Sequence, residues 1–89
     1  AINDFDISIS MNQGSTLIHI DYRSRGDSYY ELGFYELAIA DLTEAINLKP
    51  DYDFAYYSRS EAYRALWNPH QAHSDQLMAC TLDTIWYCP

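Results

Sequence analysis

The stretch ELGFYELAIADLTEAINLKPDYDFAYYSRSEAY, residues 31–63, decides the fold. An apolar run with small residues at Ala38 and Ala45 stops at Lys49-Pro50, and FAYYSRSEAY then restarts the rhythm. Comparing the chain with itself at an offset of 34 explains the restart. Tyr22, Ser24, Arg25, Tyr29, Leu32, Ala38, Asp41, Ala45 and Leu48 recur as Tyr56, Ser58, Arg59, Tyr63, Leu66, Ala72, Asp75, Ala79 and Leu82. A fixed period of this length marks stacked supersecondary units that bury their apolar faces against one another.

Each unit reads as two helices. From Leu17 to Leu32, Ile18, Tyr22, Tyr29 and Leu32 fall at three- and four-residue spacing, and Gly33 ends the run in a left-handed cap. Phe34 to Leu48 follows, with Leu37, Ala38, Leu42, Ala45 and Ile46 on one face and Pro50 as the break. Asp51 is the expected N-cap of a third helix over Tyr52 to Leu66. Asn68-Pro69 supplies a capping side chain and a first-turn proline for a fourth, ending at Leu82. Gly26, Ala38 and Ala45 let antiparallel helices approach closely.

The beginning of the chain fits the same grammar in a shifted register. AINDFDISISMNQ lies over AIADLTEAINLKP, so residues 1–13 read as the second helix of a unit whose first helix is absent. With Ala1 rather than Met at the start, a processed product or a piece of a longer chain is expected.

Composition narrows the function. The 89 residues are 48% hydrophobic and 20% charged, which excludes disorder and leaves room for one domain. No apolar run approaches the ~20 residues of a membrane span, and no basic–apolar leader is visible, so no membrane insertion is expected and the cytoplasm is the default compartment. Thirteen acids against five bases give −8. Five cations are too few for a positive groove, so nucleic acid is not an expected partner, and a basic protein surface is the electrostatic complement. Cys80 and Cys88 read as one core and one terminal thiol, with a disulfide as the alternative in an oxidising compartment.

The pattern Tyr22, Gly26, Tyr29, Ala38, Leu42, Ala45, Pro50, followed by Tyr56, Ser60, Tyr63, Ala72, Gln76, Ala79, resembles the tetratricopeptide repeat, a 34-residue helix–turn–helix unit. The second unit departs from it at Ser60, Gln76 and Thr84. The resemblance implies an all-α, right-handed α-solenoid of antiparallel helix pairs. Two complete units, 17–50 and a degenerate 51–84, follow the single helix of 1–13, and a tail occupies 85–89. First helices would line a concave groove and second helices the convex back. The family's habit is to hold proteins together or grip peptides rather than to catalyse. An interaction scaffold within an assembly is therefore expected, with a regulatory segment of a larger enzyme as the alternative. The open ends of the solenoid would allow self-association or incorporation into a complex. The segment TIWYCP would fold back over one end with Trp86 and Tyr87 as the lid.

Carried over from the family, the groove positions are Arg23, Asp27, Tyr30 and Glu31 in the first unit and Tyr57, Ser58, Glu61 and Arg64 in the second. Tyr and Arg suit interfaces, and Asp27 and Glu61 would select a Lys or Arg on the ligand. The competing reading is a solvated face with Arg23–Asp27 pairs worth a few tenths of a kcal/mol. One family use, gripping a chaperone's C-terminal carboxylate with Lys and Asn, is disfavoured because Asp27 stands where an Asn donor is wanted. His70, His73 and Cys80 share a helical side, but His73 and Cys80 hold the register of Ile39 and Ile46, so packing is expected rather than a metal. Cys80 and His73 lie two turns apart, too far for thiol activation. No enzyme activity and no cofactor are expected.

Overall fold

A computed structural model of the chain describes residues 18–85, 87 and 88. The helix expected over 1–13, the loop after it and Trp86 lie outside the described residues. Four helices follow one another: α1 Ile18–Glu31, α2 Tyr35–Leu48, α3 Asp53–Ala65 and α4 Pro69–Leu82. α1 lies along α2 and α3 along α4, while α3 also packs on α2 and touches α1. The result is an all-α helical-repeat solenoid.

Alanines make this packing close. Ala38, Ala45, Ala55, Ala62 and Ala79 are all fully buried, so backbones meet where larger side chains would hold them apart. The core cluster of Leu42, Ala45, Ile46, Tyr52 and Ala55, edged by Tyr22 and Tyr56, draws on both units. It sits between them. Leu37 and Leu32, counted with the apolar faces from their spacing, instead point outward and are half or more exposed.

α1 and α3 end in the same way, one repeat apart. The Phe34 N–H donates to the Tyr29 carbonyl at 2.9 Å and the Gly33 N–H to that of Tyr30 at 3.0 Å. Asn68 and Trp67 repeat this on Tyr63 and Arg64, at 2.9 and 3.0 Å. Such a crossed pair is a Schellman motif, which needs a left-handed residue. Gly33 supplies it at φ 83°, and Trp67 stands in the same register at φ 60°. An L side chain there costs about 1–2 kcal/mol, and the Trp67 indole is 90% exposed.

The N-caps depart from expectation. Tyr52, not Asp51, precedes α3, and neither it nor Asn68 makes a side-chain capping bond. Their ψ values of 89° and 76° fall short of the extended geometry from which a cap reaches back to the first turn. The Asp51 carboxylate instead accepts from Lys49 Nζ at 3.1 Å, which holds its pKa below the usual value.

One device ties each unit together. Arg25 on α1 grips Asp41 on α2 with two bonds of 2.7 Å, and Arg59 on α3 grips Asp75 on α4 at 2.7 and 2.8 Å. Both aspartates are 5% exposed. Each guanidinium also lies near two tyrosine rings of its own helix: Tyr22 and Tyr29 around Arg25, Tyr56 and Tyr63 around Arg59, all within 6 Å. Paired hydrogen bonds and ring faces offset the desolvation of these charges. Arg59 also donates to Thr43 Oγ1 at 3.1 Å, a polar link from α3 back to α2.

Two departures of the second unit, Ser60 and Gln76, fall at positions that meet in the first. A Cβ on buried Gly26 would come within 3.0 Å of Leu42 Cγ and 3.2 Å of the Ala38 carbonyl oxygen. In the second unit Ser60 fills the glycine position, and the leucine position holds Gln76, which is unbranched at Cγ. Ser60 is fully buried and donates to the Tyr57 carbonyl at 2.6 Å, while Gln76 Oε1 accepts from Arg64 at 2.9 Å.

Candidate partner-binding groove

α1 and α3 lie side by side, and their facing turns carry the groove residues expected from the sequence. Asp27, Tyr30 and Glu31 from α1 and Tyr57, Ser58 and Glu61 from α3 line one open cleft of about 240 Å³. The i, i+4 steps along each helix place these side chains on a common face.

The cleft is acidic at its floor. Burial pushes the Asp27 carboxyl above its usual pKa, and a hydrogen bond from Ser58 and the charge of Arg23 only partly pull it back. Burial, and then the negative charge of Glu61, push the Tyr30 hydroxyl up as well. A desolvated Asp27 carboxyl, with Glu31 and Glu61 beside it and Arg23 only at 3.9 Å, favours a positive group arriving from outside.

The two arginines expected in the groove stand at its ends. Arg23 pairs with Asp27 at 3.9 Å while its guanidinium lies 6.0 and 5.8 Å from the Tyr52 and Phe54 ring centres. Arg64 bonds to Glu61 and is drawn towards α4 by Gln76. It lines a separate, larger cleft of about 460 Å³ with Trp67, Pro69, Ala72 and His73 at the outer end of the second unit. That cleft has no comparable set of carboxylates, so the two are chemically distinct.

Beside the acidic cleft is an aromatic one that sequence reasoning missed. Phe54, Tyr57, Asp83 and Tyr87 line about 380 Å³, with Tyr57 as the wall shared by both clefts. The Tyr87 ring lies 4.9 Å from that of Tyr57 at a 30° tilt and 6.0 Å from Phe54, edge to face. Tyr87 thus folds back onto α3, while Trp86, the other half of the expected lid, lies outside the described residues. A disulfide between Cys80 and Cys88, with Cα atoms 4.5 Å apart, pins Tyr87 there. The cysteines are therefore joined, and the expectation of two separate thiols is corrected.

His73, expected to pack, is exposed; Ile39, whose register it holds, is itself only half-buried, as is Cys80 in the register of Ile46. Among the described residues no three His, Cys, Asp or Glu side chains gather as metal ligands, and no helix is long and apolar enough to cross a membrane.

Residues 26–66 match the family model for the TPR repeat. The chain is also 40% identical over 53 residues to Hsp70-Hsp90 organizing protein 3 of Arabidopsis thaliana. That alignment takes in 60% of this chain and spans 10% of the relative's length.

Proposed function

Because the chain belongs to the tetratricopeptide-repeat family, whose repeats mediate protein–protein interaction, we propose that it is a scaffold module gripping a partner segment between α1 and α3. The observation that carries this reading is the convergence of Asp27, Glu31 and Glu61 with Tyr30 and Tyr57 on one cleft. The partner's matching feature is a Lys or Arg side chain, which relieves the desolvated Asp27 carboxyl while the tyrosines cover its methylene stem. The relative's name ties that protein to Hsp70 and Hsp90, but a grip on an anionic chain end does not suit this cleft: its three carboxylates would repel it.

Two serine–alanine decapeptides, one with a central lysine and one with norleucine in its place, test the reading. Titrated into isotopically labelled protein, the lysine peptide should shift the amide signals of Asp27, Ser58 and Glu61, and the norleucine peptide should not. Tyr57→Ala should weaken binding about tenfold with little change in melting temperature. The pH dependence has a definite sign. Asp27 is protonated in the free protein up to a raised pKa, and a bound cation favours its charged form. Affinity therefore rises with pH through the window just above the ordinary carboxylate pKa, and Asp27→Asn removes that rise. Equal binding of the two peptides, or shifts confined to α2 and α4, would sink the reading.

A further inference from the structure

Tyr87 occupies ground next to the acidic cleft. Its hold there is narrow. The Tyr87 N–H reaches the Asp83 carbonyl only at 3.4 Å, and Ile85 is 84% exposed. Tyr87 and Cys88 are held by the Cys80–Cys88 bond and by the Tyr87 ring on Tyr57 and Phe54, while the Ile85 N–H donates to Asp83 Oδ1 at 3.0 Å. Phe54 and Tyr57 still show 52% and 37% of their surface, so the shelf they form is only partly covered.

The same step occurs earlier in the chain. Where the second unit begins, Phe54 and Tyr52 place their rings over Arg23 of α1. One repeat on, Tyr57 holds the register of Arg23, and Tyr87 is the ring lying over it. Each first helix thus offers a shelf that an aromatic ring from the following segment covers. In the second unit that ring comes from a strap rather than from a helix.

We propose that the Phe54–Tyr57 shelf is the aromatic half of the partner groove, that Tyr87 is a tethered stand-in for a partner's aromatic side chain, and that the Cys80–Cys88 bond keeps it seated. This rests on the acidic-cleft reading above. The partner's form follows from geometry. Phe54 and Glu61 are seven residues apart on α3, about 10 Å along the axis, which an extended peptide covers in about three residues. An aromatic residue three positions from a Lys or Arg therefore spans both halves.

Release of the strap is a thiol–disulfide exchange with a dithiol reductant. The dithiol closes to its own disulfide and gives up two electrons and two protons; the Cys80–Cys88 bond breaks, and each sulfur becomes a thiol. Cys88 is exposed and Cys80 half-buried, so the attacking thiolate reaches Cys88. Once untethered, Tyr87 loses the high local concentration that kept it on the shelf.

The test uses two decapeptides, one with Lys alone and one with Phe three positions before Lys, against three forms of the full chain: oxidised, dithiol-reduced and oxidised Tyr87→Ala. The Phe–Lys peptide should bind the reduced chain and Tyr87→Ala about tenfold more tightly than the oxidised chain. The Lys-only peptide should bind all three alike. Equal affinity of the Phe–Lys peptide for all three forms overturns the tethered competitor and leaves the acidic cleft standing. Weaker binding after reduction overturns it too, since the strap would then build the shelf. Binding of neither peptide to any form overturns both readings together.

Discussion

Gly26 and Leu42 illustrate how single residues set the spacing of helices here. The glycine leaves space that the Leu42 branch fills, and one repeat later Ser60 and Gln76 exchange bulk between the same two positions. Changing one partner alone should therefore clash or leave a gap. Gly26→Ser should cost about 1–3 kcal/mol by overpacking, and Leu42→Gln should cost a similar amount by putting an amide at a fully buried position. The double variant should cost less than the sum, with a coupling of about 1 kcal/mol. Urea denaturation of the three variants measures it, and strict additivity would show that the second unit's pair is unrelated to the first's. Read alone, Ser60 and Gln76 look like decay of the repeat, because a one-position comparison cannot see that the two departures fall at positions that meet in the first unit.

At the level of helices, boundaries were far more legible than ends. The alanine spacing, Gly33, Pro50 and Asn68-Pro69 located all four described helices to within a residue or two. The caps were not legible, because a capping bond depends on the ψ of Tyr52 and Asn68, which neighbouring turns set. Arg25, Asp41, Arg59 and Asp75 were visible as repeated identities. Their pairing was not, since it needs two helices to lie at a particular offset. The acidic cleft became readable only through resemblance to a family, and the aromatic cleft was hidden because it depends on a disulfide that spacing left open. Trp67 is the least expected element signal: a bulky residue where the first unit uses glycine at a positive φ. Trp67→Gly should relieve the left-handed strain of about 1–2 kcal/mol, offset by about 0.5–1 kcal/mol of added chain entropy when unfolded. A net rise of a few degrees in melting temperature is expected. A fall would mean that the exposed indole holds the α3–α4 turn in some other way.

Among the described residues the core cluster lies between the repeats, so the two units are expected to melt together. Ile46→Val, at the seam beside Tyr52 and Ala55, should cost about 1 kcal/mol. It should lower one common transition for helix content and tyrosine environment by about 4–8 °C. Two separated transitions would show that the units melt apart. The ion pairs carry a different consequence for the assembled surface. Each of the five Lys and Arg residues is matched to a carboxylate of the same chain: Arg23 to Asp27, Arg25 to Asp41, Lys49 to Asp51, Arg59 to Asp75 and Arg64 to Glu61. The surplus of −8 is thus carried by acids beyond those pairs. At a distance the molecule acts as a negative body that repels its own copies and hastens the arrival of cationic chains, and dissolved salt weakens both effects within about a nanometre.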